Sequence, residues 1–240
     1  MNALELPRKA LVLWIGMILA AGLSLLGASL PAPASLLAWA PVLAMGELFW
    51  FRTFGRRATI STAMVVHLAA LALLPPQQAA LLAAASSLLA DGLVQRKPLV
   101  KCAYNSTLIA VTMRLAALPL QLGAGLLPSG VPPALRAGEF LLAGLVYWVV
   151  NRAGVTGIVC AAEEVSFAQA WRENFGFGYE LLSAGVQLVV AGILVVIWPI
   201  VGPPGLLGMG LLCFFISDSY RKRNQLETLR GEDRDRRNAA

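Results

Sequence analysis

The chain has 240 residues, of which 58% are hydrophobic and only 13% charged, and its mean hydropathy is +0.71. That balance excludes an ordinary soluble domain and predicts an integral membrane protein. The net charge of +6 does not point to nucleic acid, because the basic residues are scattered in short loops between apolar runs and not gathered on one face.

Taken in chain order, the first apolar run covers 10–30 and is long enough to cross a hydrocarbon core of roughly 30 Å, which takes about 20 apolar residues. A signal peptide cleaved near "GASLPAPAS" is the competing reading of this run. The many later spans, together with Arg8 and Lys9 ahead of the run, favour a retained helix. Further apolar segments follow at 35–51, 59–74, 78–93, 102–121, 139–160, 181–199 and 204–218. The expectation is therefore an all-α polytopic bundle of about eight transmembrane segments. The fourth and eighth are short enough for a tilted or half-membrane course. A β-barrel would need roughly ten-residue segments of alternating polarity, which the sequence lacks.

Basic residues alternate between the two sets of loops. Sixteen fall on one side: Arg8 and Lys9, then Arg52, Arg56 and Arg57, then Arg96, Lys97 and Lys101, then Arg172, then seven in the tail beginning with Arg221, Lys222 and Arg223. The opposite loops hold one, Arg136. By the positive-inside rule both termini are expected in the cytoplasm. The membrane domain then runs over 1–220 and a charged cytoplasmic tail over 221–240. In the fourth segment Ala79, Ala83 and Ser87 repeat at four-residue spacing, which lets helix backbones approach closely. Over 163–180, Phe167, Trp171 and Phe175 recur at the same spacing against a polar face, the pattern of a short helix lying in the membrane interface or tucked onto a protein surface.

No enzymatic signature is present. His67 is the single histidine, so an HExxH zinc site is impossible, and there is neither a GxSxG elbow nor a GxxxxGK phosphate loop. Cys102, Cys160 and Cys213 show no metal-ligand spacing and sit in or beside apolar runs as small hydrophobes. No catalytic residue, metal or cofactor is expected, and His67 reads as a packed or hydrogen-bonded core residue.

What calls for explanation is polarity within the spans. Glu47, Asp91 and Asn105 fall near the cytoplasmic boundary, and Asn151 and Arg152 lie somewhat deeper on the same side. A charge near the centre of a span costs roughly 2.5–3.5 kcal/mol on insertion scales, so such groups face the bundle or a wet cavity and find partners. These five residues are the candidate ligand site or polar cluster, with Arg152 expected to pair with Glu47 or Asp91. The plainer alternatives are that Glu47 and Asp91 pair with loop cations such as Arg56, Arg57 and Arg96, and that Asn105 and Asn151 bond neighbouring helices. Arg114, in the outer half of its span, is expected to reach Glu139.

Two stretches carry a resemblance. "QRKPLVKCAYNSTLIA" and "LVYWVVNRAGVTGIVCAAEEVSFAQAWRENFGFG" resemble the N-terminal membrane module of bacterial membrane-associated sensor (MASE-type) signalling proteins, in a basic loop followed by an aromatic and Asn, and in a Tyr and Val-Asn within a span followed by Trp-Arg-Glu-Asn-Phe. Ser106, Thr107 and Leu108 replace the family's Ala-Ala-Gln, and Arg152 stands where that family has an uncharged residue. The resemblance implies a bacterial inner-membrane location and an output domain of HD-GYP, GGDEF or PAS type after the module. Since the sequence ends at Ala240 without one, the expectation is a non-catalytic input module acting through a separate cytoplasmic output protein or through homo-oligomerisation. A small-solute transporter, or the substrate-binding subunit of one, is the second reading, motivated by the charges within the spans. A membrane anchor or assembly factor is the third. The lipid bilayer is the one partner common to all of them.

Overall fold

The computed structural model describes residues 7–27, 32–48, 50–52, 59–126, 133–175 and 180–202, with 204, 205 and 208. In chain order the elements are α1 (Arg8–Ser24), α2 (Pro33–Leu48), β1 (Trp50–Arg52), β2 (Thr59–Ser61), α3 (Ala63–Leu73), α4 (Pro76–Leu89), α5 (Leu99–Leu126), α6 (Pro133–Glu163) and α7 (Phe167–Asn174), then α8 (Glu180–Gly202). A π-helical turn, Ala90–Val94, extends α4. Three helices are long and apolar enough to cross a membrane: Leu99–Gly123 in α5, Ala137–Glu163 in α6, and α8. The chain is thus an all-α membrane protein. The eighth apolar segment falls almost wholly outside the described residues, as do Cys213, the anchors Arg56, Arg57, Arg221, Lys222 and Arg223, and the whole 221–240 tail.

Local chemistry sets the helix boundaries. Pro76 stands in the first turn of α4, where its missing N–H costs no intrahelical bond. Ser166 caps α7 by accepting from the Gln169 N–H at 3.2 Å. Two boundaries differ from the apolar segmentation. The stretches 35–51 and 59–74 do not continue as helices to their facing ends, because β1 and β2 pair there in an antiparallel hairpin, Trp50 opposite Ser61 and Arg52 opposite Thr59. As a result α3 keeps 11 residues, roughly 16 Å of helix, which is too short to cross a bilayer alone.

The helix α5 lies at the centre: 44% of its most apolar stretch is buried, against 11% for α6 and for α8. It packs on α4 through the small-residue face, where Ala79, Ala83 and Ser87 are all buried. There Ser106 on α5 reaches across to donate to the Ala84 carbonyl at 2.8 Å. On its other side α5 meets α6 at Gly154, whose carbonyl accepts from the Tyr104 hydroxyl at 2.8 Å. A Cβ at Gly154 would overlap the Leu108 side chain, so glycine there lets the two backbones close up. Outward faces stay apolar, with Val12, Leu19 and Leu23 on α1 and Val196 and Ile200 on α8 all exposed. Large apolar side chains outside and small ones inside is what lipid as solvent selects.

Replacing Gly154 by Val forces Leu108 off its rotamer or parts α5 from α6. The expected destabilisation is about 1–3 kcal/mol, read as a lower midpoint for loss of helical circular dichroism on heating or SDS titration in detergent.

Candidate functional site

Six helices border one cavity of about 350 Å³, with α4, α5, α6 and α8 supplying most of its polar lining. The α4 end contributes Ser87, Asp91 and Gln95, spaced by four. The α8 start contributes Glu180, Ser183, Ala184 and Gln187, at the i, i+3, i+4, i+7 positions that share one helix face. Asn105 comes from α5, and Tyr147, Trp148, Asn151 and Arg152 come from α6. Glu47 at the end of α2 and Phe175 just after α7 complete the wall. All five candidates from the sequence, Glu47, Asp91, Asn105, Asn151 and Arg152, therefore border the same space.

Asp91 is the most heavily engaged. Its Oδ1 lies 2.6 Å from Lys97 Nζ, and its Oδ2 accepts from Asn105 Nδ2, also at 2.6 Å. The Lys97 N–H additionally donates to the Asp91 carbonyl at 2.9 Å. The π turn that holds Asp91 ends with Gln95 N–H bonded to the Ala90 carbonyl at 2.9 Å, a five-residue step. This wider turn moves the carboxylate relative to the α4 ladder, a device that recurs at functional positions. The chain then reverses through Arg96, whose φ of 51° is in the left-handed region. That reversal folds Lys97 back onto the carboxylate. Lys97, expected only as a topology anchor together with Arg96 and Lys101, is thus a member of the cluster. The cation that Asp91 takes is Lys97 and not Arg96. Arg96 and Lys101 are exposed.

Arg152 does not pair with Glu47 or Asp91. Its guanidinium meets Glu180 at 2.8 Å and lies over the Phe175 ring at 4.8 Å from the centroid. The pair is well shielded, the side chains being 15% and 3% exposed, so removing one partner would strand the other. Glu47 faces His67, its Oε1 3.3 Å from Nε2 but off the line of a hydrogen bond. On the other side of that ring Nδ1 is 2.6 Å from the Tyr147 hydroxyl. His67, completely buried, therefore joins α2, α3 and α6 as a hydrogen-bonded core residue.

Asn105 and Asn151 behave differently. Asn105 is committed to Asp91, an interhelical bond of the kind expected of it. Asn151, among the described residues, has no hydrogen-bond partner although it borders the cavity. The expected pair of Arg114 with Glu139 is not formed. The Glu139 carboxyl packs against Gly123, where no Cβ stands in the way, and Arg114 Nε and Nη1 are without hydrogen-bond partners among the described residues. Cys102 is buried and its thiol donates to the Lys97 carbonyl at 3.3 Å, while Cys160 is half-buried. Among the described residues no three His, Cys, Asp or Glu side chains converge as metal ligands.

The aromatic face of α7 lies on the bundle. Trp171 meets Trp148 edge-on at 6.1 Å and contacts Phe175 at 5.4 Å, and Phe167 stacks on it at 6.0 Å while remaining half exposed. A continuous run of rings thus leads from the surface to the cavity wall. No family model, curated protein or solved structure matches this chain. The site consequently rests on its own geometry.

Sequence reading missed Glu180, Lys97, Tyr147 and Gln187 as cavity residues. Glu180 and Gln187 had a signal: with Ser183 they place polar groups on one face of an otherwise apolar helix. Tyr147 and Lys97 had none, since their roles come from long-range packing and from the reversal at Arg96.

Because Asn105 and Lys97 share one carboxylate, Asp91→Ala and Asn105→Ala are expected to be non-additive, with a coupling of about 1 kcal/mol or more in a double-mutant cycle. Reversible SDS unfolding of the four proteins gives the number. Additivity would show the bond is not formed in the bilayer-like state.

Proposed function

We propose that this chain is a polytopic module of the bacterial cytoplasmic membrane that binds a small polar solute in its cavity and passes occupancy on to a separate cytoplasmic output protein or to a second copy of itself. The observation that carries this reading is that five polar residues from four helices, far apart in sequence, border one space, with Asn151 left without a hydrogen-bond partner among the described residues. A volume of about 350 Å³ falls at the small end of ligand pockets, which span about 300–1,000 Å³. The two motifs that resemble MASE-type input modules contain Asn105 and Asn151, both of which border the cavity, while Arg152 is this chain's departure from that family.

Eight apolar segments with both termini in the cytoplasm suit this role. By the positive-inside rule the basic segments 52–57 and 96–101 then belong to the cytoplasmic side. The aromatic run from Phe175 through Trp171 to Phe167 gives occupancy a route to a surface that a partner can read. No reaction is assigned to the chain. Transport is the second reading, favoured by the buried Arg152–Glu180 pair at the cavity wall.

Thermal-shift screening of the purified protein against small polar metabolites is expected to find a stabilising solute. Asn151→Leu should abolish that shift while leaving the unliganded melting temperature unchanged. A screen in which nothing stabilises the protein would remove the reading. Uptake of the same solute into proteoliposomes would decide for transport; binding without flux supports the input module. Cysteine labelling from either side, with single cysteines at Arg57 and Arg136, is expected to be cytoplasmic for the first and external for the second.

A further inference from the structure

The charges around the cavity do not balance. Three carboxylates border it, Glu47, Asp91 and Glu180, against two cations, Lys97 and Arg152. Both cations are committed: Lys97 to Asp91 at 2.6 Å, Arg152 to Glu180 at 2.8 Å and to the face of Phe175. An anionic solute would have to compete with the carboxylates that already hold them. Among the described residues Glu47 has no Lys or Arg partner. Its neighbour is His67, whose Nε2 lies 3.3 Å from Glu47 Oε1 and off the line of a hydrogen bond, while Nδ1 on the other side of the ring is 2.6 Å from the Tyr147 hydroxyl. The Glu47 side chain is only 11% exposed. A carboxylate so shielded from water is stabilised by a counter-charge that enters beside it. The same wall presents Tyr147 and Trp148, directly adjacent on α6, and Phe175. Aromatic faces attract cations, most strongly where water is excluded.

From these observations we infer that the cavity takes a small organic cation, an amine or quaternary ammonium, with Glu47 as its counter-charge, Tyr147 and Trp148 as its aromatic wall and the Asn151 amide as an additional polar contact. The inference rests on the proposed solute-binding role and specifies its chemistry. Asp91 and Glu180 hold the two resident cations in place and keep the cavity from attracting anions. Glu47 is the side chain that discriminates charge.

The test uses the full chain in nanodiscs and isothermal titration with ethylammonium, choline, the uncharged carbon isosteres of both, and propionate. The cations are expected to bind, with each isostere and propionate weaker by about tenfold or more, the discrimination of one charge-assisted contact. Glu47→Gln should weaken cation binding by a similar factor and bring the isosteres level with the cations. Should that variant fold poorly, the comparison of cation with isostere in the unaltered protein still decides. Equal or tighter binding of the isosteres or of propionate would overturn the inference, as would undiminished cation affinity in a folded Glu47→Gln protein. If only uncharged or anionic solutes from the wider metabolite screen bind, the inference falls and the solute-binding role stands. If no solute of any class binds, both fall together.

Discussion

A charge inside a helical bundle surrounded by lipid has to find its counter-charge within the bundle, because water cannot supply one cheaply. Two ion pairs meet that constraint here, and the arrangement of the helices follows from them. The Asp91–Lys97 pair holds the end of α4 to the turn before α5, and Asn105 adds a bond from α5 itself. The Arg152–Glu180 pair holds α6 to α8, with Phe175 fixing the chain between them through its ring. The Asp91–Lys97 pair closes a short loop, whereas the Arg152–Glu180 pair reaches past α7, so both close loops that are short beside the whole chain. The long-range link is His67, which brings α3 to α6 through Tyr147 and to α2 through Glu47.

These polar links are effective because small residues allow close approach nearby. Lipid tails give helices no hydrophobic reason to associate, so contact area and interhelical hydrogen bonds must do so. The alanine and serine face of α4 and the glycine of α6 bring both neighbours tight against α5. The π turn works in the opposite direction. It interrupts the α4 ladder where Asp91 must leave the regular helix to meet Lys97. Regular packing toward one end and a deliberate irregularity at the other leave a space bordered by polar groups.

Much of the site was legible because burying polarity in a span is costly and therefore conspicuous. Glu47, Asp91, Asn105, Asn151 and Arg152 stand out against apolar neighbours, and all border the cavity. Their partners were less legible. Arg152 was expected to take Glu47 or Asp91, yet it meets Glu180 because the start of α8 lies against α6. Glu47 instead faces His67, a pairing set by how α2 and α3 pack on either side of the hairpin. Arg114 and Glu139 match in depth along their spans, but depth does not determine rotation about the helix axis, and Glu139 packs against Gly123.

Composition and apolar run length by themselves indicated a membrane protein built mainly of helices, since these depend on local hydrophobicity summed along the chain; of the eight apolar segments expected to cross, three are helices long and apolar enough to do so among the described residues. The same local reasoning identified which residues needed partners. Tertiary structure decided who the partners are, where helix gives way to strand between α2 and α3, and that Lys97 is part of the cluster and not only an anchor. Those outcomes depend on the rotation of each helix about its axis and on the reversal at Arg96. Both are set jointly by every neighbour a helix packs against, so no single stretch of sequence contains them.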